Sequence, residues 1–263
     1  MHLDKRLQAV AAFVPEGSSF ADIGTDHAYL PVWLVEQGII TSAVAGDIAA
    51  GPCQAARTTV AMYGAANAIV VRQGSGLAVL TPGEADCIAI CGMGGSTIIS
   101  ILAADMAVAR SAKRLVLQPM AGAASLRRWL VEQGWRLTGE ALVDDAPHFY
   151  EIICAEPIAE KAAFTNEVSA QAFSADKLQG SDEALGGYSE VEYLVGPALL
   201  RAGHPLLAKQ ILRQQNALLE LLRNMARSER AKASEKYAES QRLLQELEEL
   251  KTSYLDKHKD AKK

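Results

Sequence analysis

An acid, a glycine and an acid–histidine pair lie close together near the start of the chain, in residues 21–31, ADIGTDHAYLP. An apolar residue, an acid and a glycine in this order are typical of the nucleotide-binding turn after the first strand of an α/β domain. A dinucleotide fingerprint continues with two further glycines, which let a pyrophosphate approach the backbone. Here Gly24 is followed by threonine, aspartate and histidine. Because Asp22 and Asp26 would repel a pyrophosphate and attract a cation, the turn favours a cofactor without phosphates, such as S-adenosylmethionine.

Further glycines and polar residues occur where later strands are predicted to end. Asp47 follows the buried stretch SAVAG, and an acid at this position accepts hydrogen bonds from ribose hydroxyls. Asp47 could at the same time cap the following helix. We expect the glycine turn 74–76 beneath the adenine and the CGMGG stretch 91–95 between cofactor and acceptor. Gly95 is explained by a tight strand-to-helix turn without a ligand, and Met93 is either a core residue or a contact to a flat base.

The residues expected to bind the cofactor share this position at strand ends. They are Asp22, Gly24, Thr25, Asp47, Ile48, Gly74, Ser75, Gly76, Cys91, Gly92 and Met93.

Strand and helix patterns alternate up to about residue 156. Helices are predicted over residues 1–13 and 27–37, and a strand over residues 42–48. The apolar stretches AIVVRQ, ADCIAIC and KRLVLQP predict further strands with helices between them, and WRLTGEALV with FYEIICAE predicts a closing antiparallel pair. Nearly continuous apolar strands indicate a parallel sheet covered on both faces, which binds ligands at the carboxyl ends of its strands. The fold class is therefore α/β, with a Rossmann-like domain over residues 1–156.

The remainder of the chain has a different pattern. Residues 157–188 are poor in large aliphatic side chains and rich in Ala, Ser, Asp and Glu, and they are predicted to form a linker or irregular segment. Residues 189–263 are predicted to be helical, with one helix over VEYLVGPALLRAG and then two long amphipathic stretches. Apolar periodicity lapses near residues 228–234, which predicts the turn of an antiparallel, coiled-coil-like helical hairpin.

Charge is distributed unevenly over the 263 residues. Residues 201–263 hold 14 Lys and Arg against 9 Asp and Glu, a net charge of +5, so the net charge of −5 for the whole chain leaves −10 for the rest. The basic part is a candidate surface for an anionic partner, although a solvated lysine-rich surface would have the same composition. No apolar run reaches the roughly 20 residues of a membrane helix, and the N-terminus lacks a signal-peptide pattern. We therefore expect a cytoplasmic protein without a membrane partner. The four cysteines have no CxxC spacing, so we expect no metal site.

Six stretches in order, DIGTDHAYLP, GDIAAGPCQAA, CGMGG, LQP, HFYE and YLVGPALL, resemble the bacterial tRNA (adenine-22-N1)-methyltransferase family. The resemblance implies a class I methyltransferase domain that binds S-adenosylmethionine, followed by a coiled-coil domain, and methylation of N1 of an adenine in the D-arm region of tRNA. Three residues depart from the family's pattern. Ser75 replaces an acid expected to contact the adenine of the cofactor, Cys91 replaces an alanine, and Met120 replaces an asparagine.

This activity suggests roles for four residues. Adenine N1 has a lone pair and attacks the sulfonium methyl without prior deprotonation, so positioning should dominate catalysis, and the base must be unpaired or flipped out. Asp26 is the candidate acceptor for the adenine amino group, His27 and Tyr29 are candidate positioning or stacking groups, and Gln118 is a candidate reader of the base edge. Alternatively, Asp26 caps a helix that begins at His27, His27 bonds within the turn, and Tyr29 belongs to the core.

The basic hairpin is then expected to bind the tRNA backbone, with dimerisation through its leucines as the alternative and a monomer as the expected state. Three other functions stay open at this stage. They are a small-molecule methyltransferase, a nicotinamide oxidoreductase, and an RNA-binding protein that keeps the fold without turnover.

Overall fold

The computed structural model of the protein describes residues 1–158 and 187–260, with side chains described up to residue 254. The chain divides into two compact units, Met1–Gly187 and Tyr188–Lys263. The predicted linker, residues 157–188, lies almost entirely outside the described residues.

The first unit is built on a seven-stranded mixed sheet. Its strands are β1 Ser18–Ile23, β2 Ile40–Asp47, β3 Ile69–Gln73, β4 Cys87–Gly94, β5 Arg114–Ala121, β6 Trp135–Asp145 and β7 His148–Pro157. Their order across the sheet is β3-β2-β1-β4-β5-β7-β6. Strands β1 to β5 are parallel, and β7 is antiparallel to both of its neighbours. The predicted Rossmann-like sheet with a closing antiparallel pair is confirmed.

The strand order places a topological switch point between β1 and β4. From β1 the chain builds outward through β2 to β3, and it then returns to add β4 on the other side of β1. In parallel sheets this reversal leaves a crevice beyond the carboxyl ends of the two central strands, because their connections leave in opposite directions. Residues that follow Ile23 and Cys91 therefore lie where a ligand can enter.

Helices flank the sheet in the first unit. They are α1 Lys5–Ala11, α2 Tyr29–Glu36, α3 Ala50–Met62, α4 Gly95–Ala104, α5 Met106–Ser111 and α6 Ala123–Glu132, with a 3-10 helix at Gly76–Val79. Helix α1 is shorter than the predicted residues 1–13. It begins where the Asp4 carboxylate accepts a hydrogen bond from the Leu7 amide at 2.7 Å, a typical N-cap.

A buried ionic cluster joins α6 to the antiparallel pair. The Arg127 guanidinium, fully buried, donates to Glu140 at 2.5 Å and to Glu151 at 2.8 Å. Both glutamates are also buried, one on β6 and one on β7. Neither the arginine nor the glutamates could remain buried in the charged form without a partner of opposite charge. The cluster therefore ties α6 to this edge of the sheet.

The second unit is helical. Its helices are α7 Glu190–Val195, α8 Pro197–Ala202, α9 Leu207–Met225, α10 Glu229–Lys232 and α11 Glu235–Asp260. The single helix predicted over VEYLVGPALLRAG is wrong, because the backbone breaks at Gly196, where φ is +113°, and restarts with Pro197 at the first turn. The predicted turn near residues 228–234 contains the short helix α10.

The long helices α9 and α11 pack against each other in antiparallel directions. The Tyr254 hydroxyl, near the end of α11, lies 3.4 Å from the carbonyl oxygen of His204, just before α9. The predicted apolar stripe of α9 is largely buried, at Leu207, Ile211, Leu218 and Leu222. Within the described part of the chain, no helix has the length and apolar character needed to span a membrane.

Candidate active site

The turn after β1 needs a glycine for two reasons. The amides of Gly24 and Thr25 both donate to the carbonyl oxygen of Gly46, at 2.8 and 3.0 Å, which bends the chain sharply over the end of β2. Gly24 has φ of +77°, and a β-carbon at this position would lie 2.1 Å from the terminal methyl carbon of Met93. The glycine therefore accommodates both the left-handed backbone and the Met93 side chain, which packs against it from the β4 side, while Gly24 still lines a cleft.

Asp22 supplies a buried carboxylate beside this turn. It accepts a hydrogen bond from the Thr25 hydroxyl at 2.6 Å. Burial raises the pKa of Asp22 to about 6, while the Thr25 hydrogen bond and the positive charge of Arg6 act in the opposite direction. A cationic ligand group placed here would replace the lost hydration of the carboxylate. The buried acid next to an open glycine turn thus fits the amino-acid end of S-adenosylmethionine, which carries an ammonium group and a sulfonium.

The backbone of the next three residues differs from the prediction. Asp26 and Ala28 have φ of +53° and +55°, and α2 begins at Tyr29, not at His27. The capping alternative for Asp26 is wrong, because the N-cap is Ala28 and receives no side-chain hydrogen bond. The Asp26 carboxylate instead points outward, with its side chain 71 % exposed and 3.6 Å from Nε2 of His27.

His27 and Tyr29 form a stacked pair at the mouth of the cleft. Their ring centroids are 5.2 Å apart and the rings are 9° from parallel. Tyr29 is 46 % exposed, so the alternative that it belongs to the core is wrong. Asp26, His27 and Tyr29 line the same cleft as Asp22.

These groups line one cleft of about 230 Å³. Its lining residues are Arg6, Leu7, Asp22, Gly24, Thr25, Asp26, His27, Tyr29, Leu30, Cys91 and Gly92. The structure therefore brings together most of the predicted catalytic residues and the predicted cofactor residues of the β1 and β4 turns.

Gln118 is placed at the correct edge of the sheet, but its side chain points inward. It is fully buried. Its Oε1 accepts from Arg6 at 2.9 Å and from the Gly92 amide at 3.1 Å, and its Nε2 donates to the carbonyl of Pro119 at 3.2 Å. The predicted role of Gln118 as a reader of the base edge is therefore corrected: it positions Arg6 and the β4 turn.

Arg6 is the lining residue that the sequence interpretation missed. It lies on α1, far in sequence from the turns, and its guanidinium reaches the cleft through the hydrogen bond to Gln118. It also lies 5.8 Å from the ring centroid of Tyr150. No sequence signal separates Arg6 from the other basic residue of the DKR stretch; only the packing of α1 against β5 and β7 places it here.

The β4 turn contributes Cys91, Gly92 and Met93. Burial raises the pKa of the Cys91 thiol far above its ordinary value, so the cysteine is a small neutral group at this wall of the cleft. Gly92 has φ of +75° and is exposed, which leaves its backbone accessible. At Gly95 a β-carbon would lie 2.5 Å from the carbonyl oxygen of Gly122, so close packing against the turn after β5, and not the predicted tight strand-to-helix turn, explains this glycine without a ligand.

The other predicted cofactor residues lie beyond the cleft at the ends of β2 and β3. Oδ1 of Asp47 accepts from the Ala49 amide at 2.9 Å, without capping α3 directly. Ile48 is 67 % exposed at the end of β2. The Gly74 amide donates to the carbonyl of Asp47 at 2.9 Å, which joins the two strand ends.

The glycine turn after β3 packs closely on its neighbours. A β-carbon at Gly74 would lie 2.7 Å from Val79, and one at Gly76, where φ is +54°, would lie 3.1 Å from Ile101. Ser75 between them is exposed and makes no capping hydrogen bond to the 3-10 helix that follows. The surface at the ends of β2 and β3, called the shelf here, therefore consists of Asp47, Ile48 and the glycine turn 74–76.

Comparison with known proteins gives a consistent result. A family model described as a methyltransferase domain matches residues 3–153. The tRNA (adenine(22)-N(1))-methyltransferase of Bacillus subtilis is 42 % identical over 164 residues, which cover 62 % of this chain and 69 % of that protein.

Solved structures share the fold over nearly the whole chain. The crystal structure of the B. subtilis M1A22 tRNA methyltransferase TrmK superposes with a TM-score of 0.72 at 31 % identity, covering 97 % of this chain and 98 % of the other. A putative tRNA (m1A22) methyltransferase of Streptococcus pneumoniae in complex with S-adenosyl-L-methionine gives a TM-score of 0.72 at 30 % identity, covering 94 % and 99 %. The sheet is that of a class I methyltransferase, and the chain belongs to the tRNA (adenine(22)-N(1))-methyltransferase family.

Proposed function

We propose that this protein transfers a methyl group from S-adenosylmethionine to N1 of adenine 22 in tRNA. The observation that carries the proposal is the cleft itself, where the buried acid of Asp22 and the open turn at Gly24 meet an exposed acid–histidine–tyrosine group. The related B. subtilis protein is named for this reaction, and the related S. pneumoniae structure contains the cofactor.

Each part of the cofactor would have its own group of residues. Asp22, Gly24 and Thr25 hold the amino-acid end, where a buried carboxylate meets a cation. Asp47 accepts from the ribose hydroxyls with its free carboxylate oxygen.

The rest of the cofactor site covers the adenine and the reacting centre. Ile48, Gly74, Ser75 and Gly76 form the shelf for the adenine, and Cys91, Gly92 and Met93 border the reacting centre. When bound, S-adenosylmethionine supplies an electrophilic methyl group on a sulfonium.

The chain's own contribution to catalysis is orientation of the acceptor. Asp26 accepts a hydrogen bond from the N6 amino group of the target adenine and stabilises the positive charge that develops as N1 is methylated. His27 and Tyr29 present a flat surface on which the base can stack. No side chain needs to remove a proton before the attack, because N1 is itself the nucleophile.

The second unit would hold the tRNA. We propose residues 1–156 as the catalytic domain, 157–188 as the linker, and 189–263 as a coiled-coil domain whose basic part, residues 201–263 with a net charge of +5, contacts the RNA backbone. Exposed basic residues on the long helices include Arg223, Lys236 and Arg242. Because the apolar stripe of α9 is already buried, we propose a monomer acting in the cytoplasm on free tRNA.

The test is methylation of an unmodified tRNA transcript, detected as a reverse-transcription stop at the modified base. We expect a stop at adenine 22 that requires S-adenosylmethionine and disappears when position 22 is guanine. Cofactor binding and tRNA binding without a stop would instead establish an RNA-binding protein without turnover. A thermal shift with NAD and none with S-adenosylmethionine would establish an oxidoreductase.

The role of the helical unit needs its own experiment. We expect tRNA affinity to fall steeply between low and moderate salt and to be lost on deletion of residues 201–263, since backbone contacts release counterions. Affinity that is insensitive to salt, or that survives the deletion, would contradict the RNA-binding role. Light scattering then distinguishes the monomer from a dimer.

A further inference from the structure

A second histidine–tyrosine pair lies near the cleft with the same spacing as the first. His27 and Tyr29 stand in HAY, and His148 and Tyr150 stand in HFY at the start of β7. The rings of His148 and Tyr150 have centroids 5.6 Å apart and are tilted by 31°. The HFY pair is defined here as these two residues. None of the catalytic steps above uses it.

The topology brings the HFY pair to the same edge of the sheet as the cleft. Strand β7 is antiparallel to β5, with Leu117 opposite Ile153, so the first residues of β7 lie at the carboxyl end of β5. Arg6 bridges the remaining distance, because its guanidinium lies 5.8 Å from the Tyr150 ring centroid and donates to Gln118 at 2.9 Å. The HFY pair therefore lies beside the cleft, with Arg6 in contact with both Tyr150 and Gln118.

One residue of the HFY pair packs against the core and the other is exposed to solvent. Tyr150 is half-buried and packs against the hydrophobic core, whereas His148 is exposed. The Lys5–Asp145 ion pair, at 3.0 Å, joins α1 to the end of β6. A rigid aromatic surface with an adjacent guanidinium is the arrangement with which proteins bind unpaired bases by stacking.

The chemistry of the two rings favours a base at this surface. The Asp145 carboxylate, opposite His148, is already paired with Lys5. Asp144 lies opposite Phe149, on the other face of the sheet from the HFY pair. A base face carries no charge and stacks on any aromatic ring. Since an adenine methylated at N1 must leave its pairing and stacking partners, its neighbour in the chain also loses one stacking face.

We propose that the HFY pair, with Arg6, is a second base-binding surface that stacks on a nucleotide adjacent to the target adenine. The proposal rests on the proposed function and adds a subsite to it. His27 and Tyr29, the HAY pair, hold the target base. The HFY pair replaces the stacking that the flanking nucleotide loses. The two pairs would together keep the RNA strand open across the cleft.

The experiment combines protein variants with altered tRNAs. Methylation is measured for wild type, Tyr150→Leu and Tyr150→Phe on intact tRNA and on two tRNAs that carry an abasic residue on either side of adenine 22. For wild type, we expect kcat/KM to fall roughly 5- to 150-fold with one of the abasic tRNAs. Tyr150→Leu should show a similar fall on intact tRNA and no further fall on that abasic tRNA, while Tyr150→Phe should resemble wild type.

Controls separate this subsite from the fold and from the proposed function. Tyr63→Leu removes another exposed tyrosine, at the end of α3, and should leave all rates unchanged. Tyr150→Leu should lower the melting temperature somewhat, because Tyr150 packs against the hydrophobic core, whereas Tyr150→Phe should keep it and S-adenosylmethionine affinity should be unaffected in both variants. The subsite would be overturned if wild type methylates both abasic tRNAs as fast as intact tRNA. It would also be overturned if Tyr150→Leu and the abasic residue each lower kcat/KM independently, so that their effects multiply. Absence of methylation on intact tRNA would instead contradict the proposed function.

Discussion

Replacing Asp22 by asparagine should stabilise the free protein while weakening cofactor binding. Burial raises the pKa of Asp22 from 3.8 to about 6, and this difference corresponds to a cost of roughly 3 kcal/mol for keeping the carboxylate ionised at neutral pH. Asparagine has nearly the same shape and can still accept the hydrogen bond from Thr25. It removes the buried charge, so the free energy of unfolding should rise by up to about 3 kcal/mol near pH 7.5.

The raised pKa of Asp22 determines how the stability gained in Asp22→Asn changes with pH. The folded pKa of Asp22, about 6, exceeds the value of 3.8 for an unperturbed aspartate. The folded protein therefore binds more protons between these two values, and its stability decreases as the pH rises through that window. The advantage of Asp22→Asn should be largest above about pH 7, fall to roughly half near pH 5, and vanish below the unfolded pKa.

Urea unfolding of both proteins at about pH 7.5 and pH 5 measures these differences. Titration calorimetry at the higher pH should show S-adenosylmethionine affinity reduced by about 10- to 100-fold in Asp22→Asn, since a charge-assisted contact is lost. For wild type, affinity should also decrease below about pH 6, where Asp22 becomes protonated. An asparagine variant that is less stable than wild type at pH 7.5, or that binds the cofactor equally well, would refute the reasoning.

Three further substitutions test other parts of the structure. Asp26→Ala should lower kcat by about 10- to 100-fold with unchanged melting temperature and cofactor affinity, and a near-normal rate would remove Asp26 from the mechanism. Gly24→Ala should cost about 1–2 kcal/mol in unfolding free energy and at least tenfold in cofactor affinity by calorimetry, because φ is +77° and Met93 occupies the space; normal binding would show that the turn is not the cofactor site. Arg127→Met should cost about 3–5 kcal/mol in urea unfolding, since two buried glutamates lose their partner, whereas the exposed Arg136→Met should change it by at most about 1 kcal/mol; equal effects would contradict the buried cluster.

The sheet and its functional edge follow from patterns that are local in sequence. Apolar runs ending in Asp22, Asp47 or the CGMGG stretch mark parallel strands and their carboxyl ends at once, because a strand buried on both faces is apolar throughout. The need for a glycine at position 24 is equally local, since it arises from a sharp turn after the first strand.

Features that depend on packing between distant segments could not be predicted. Arg6 reaches the cleft only because α1 lies against β5 and β7, and Gln118 turns inward to receive it. The left-handed backbone at Asp26 and Ala28 delays the start of α2, although neither residue type signals this conformation strongly. The helix break at Gly196 was not predicted for a different reason. The apolar periodicity continues across it, although the Gly-Pro pair indicates that a helix ends there.

The most direct test of the central claim removes the proposed nucleophile alone. A tRNA with 1-deazaadenosine at position 22 has a C–H group in place of N1 and keeps the amino group, the ring and the backbone. We predict that this tRNA binds with nearly the affinity of the unmodified transcript and accepts no methyl group from S-adenosylmethionine, whereas the adenine-22 transcript is methylated. Methyl transfer to the 1-deazaadenosine tRNA at a comparable rate would contradict it.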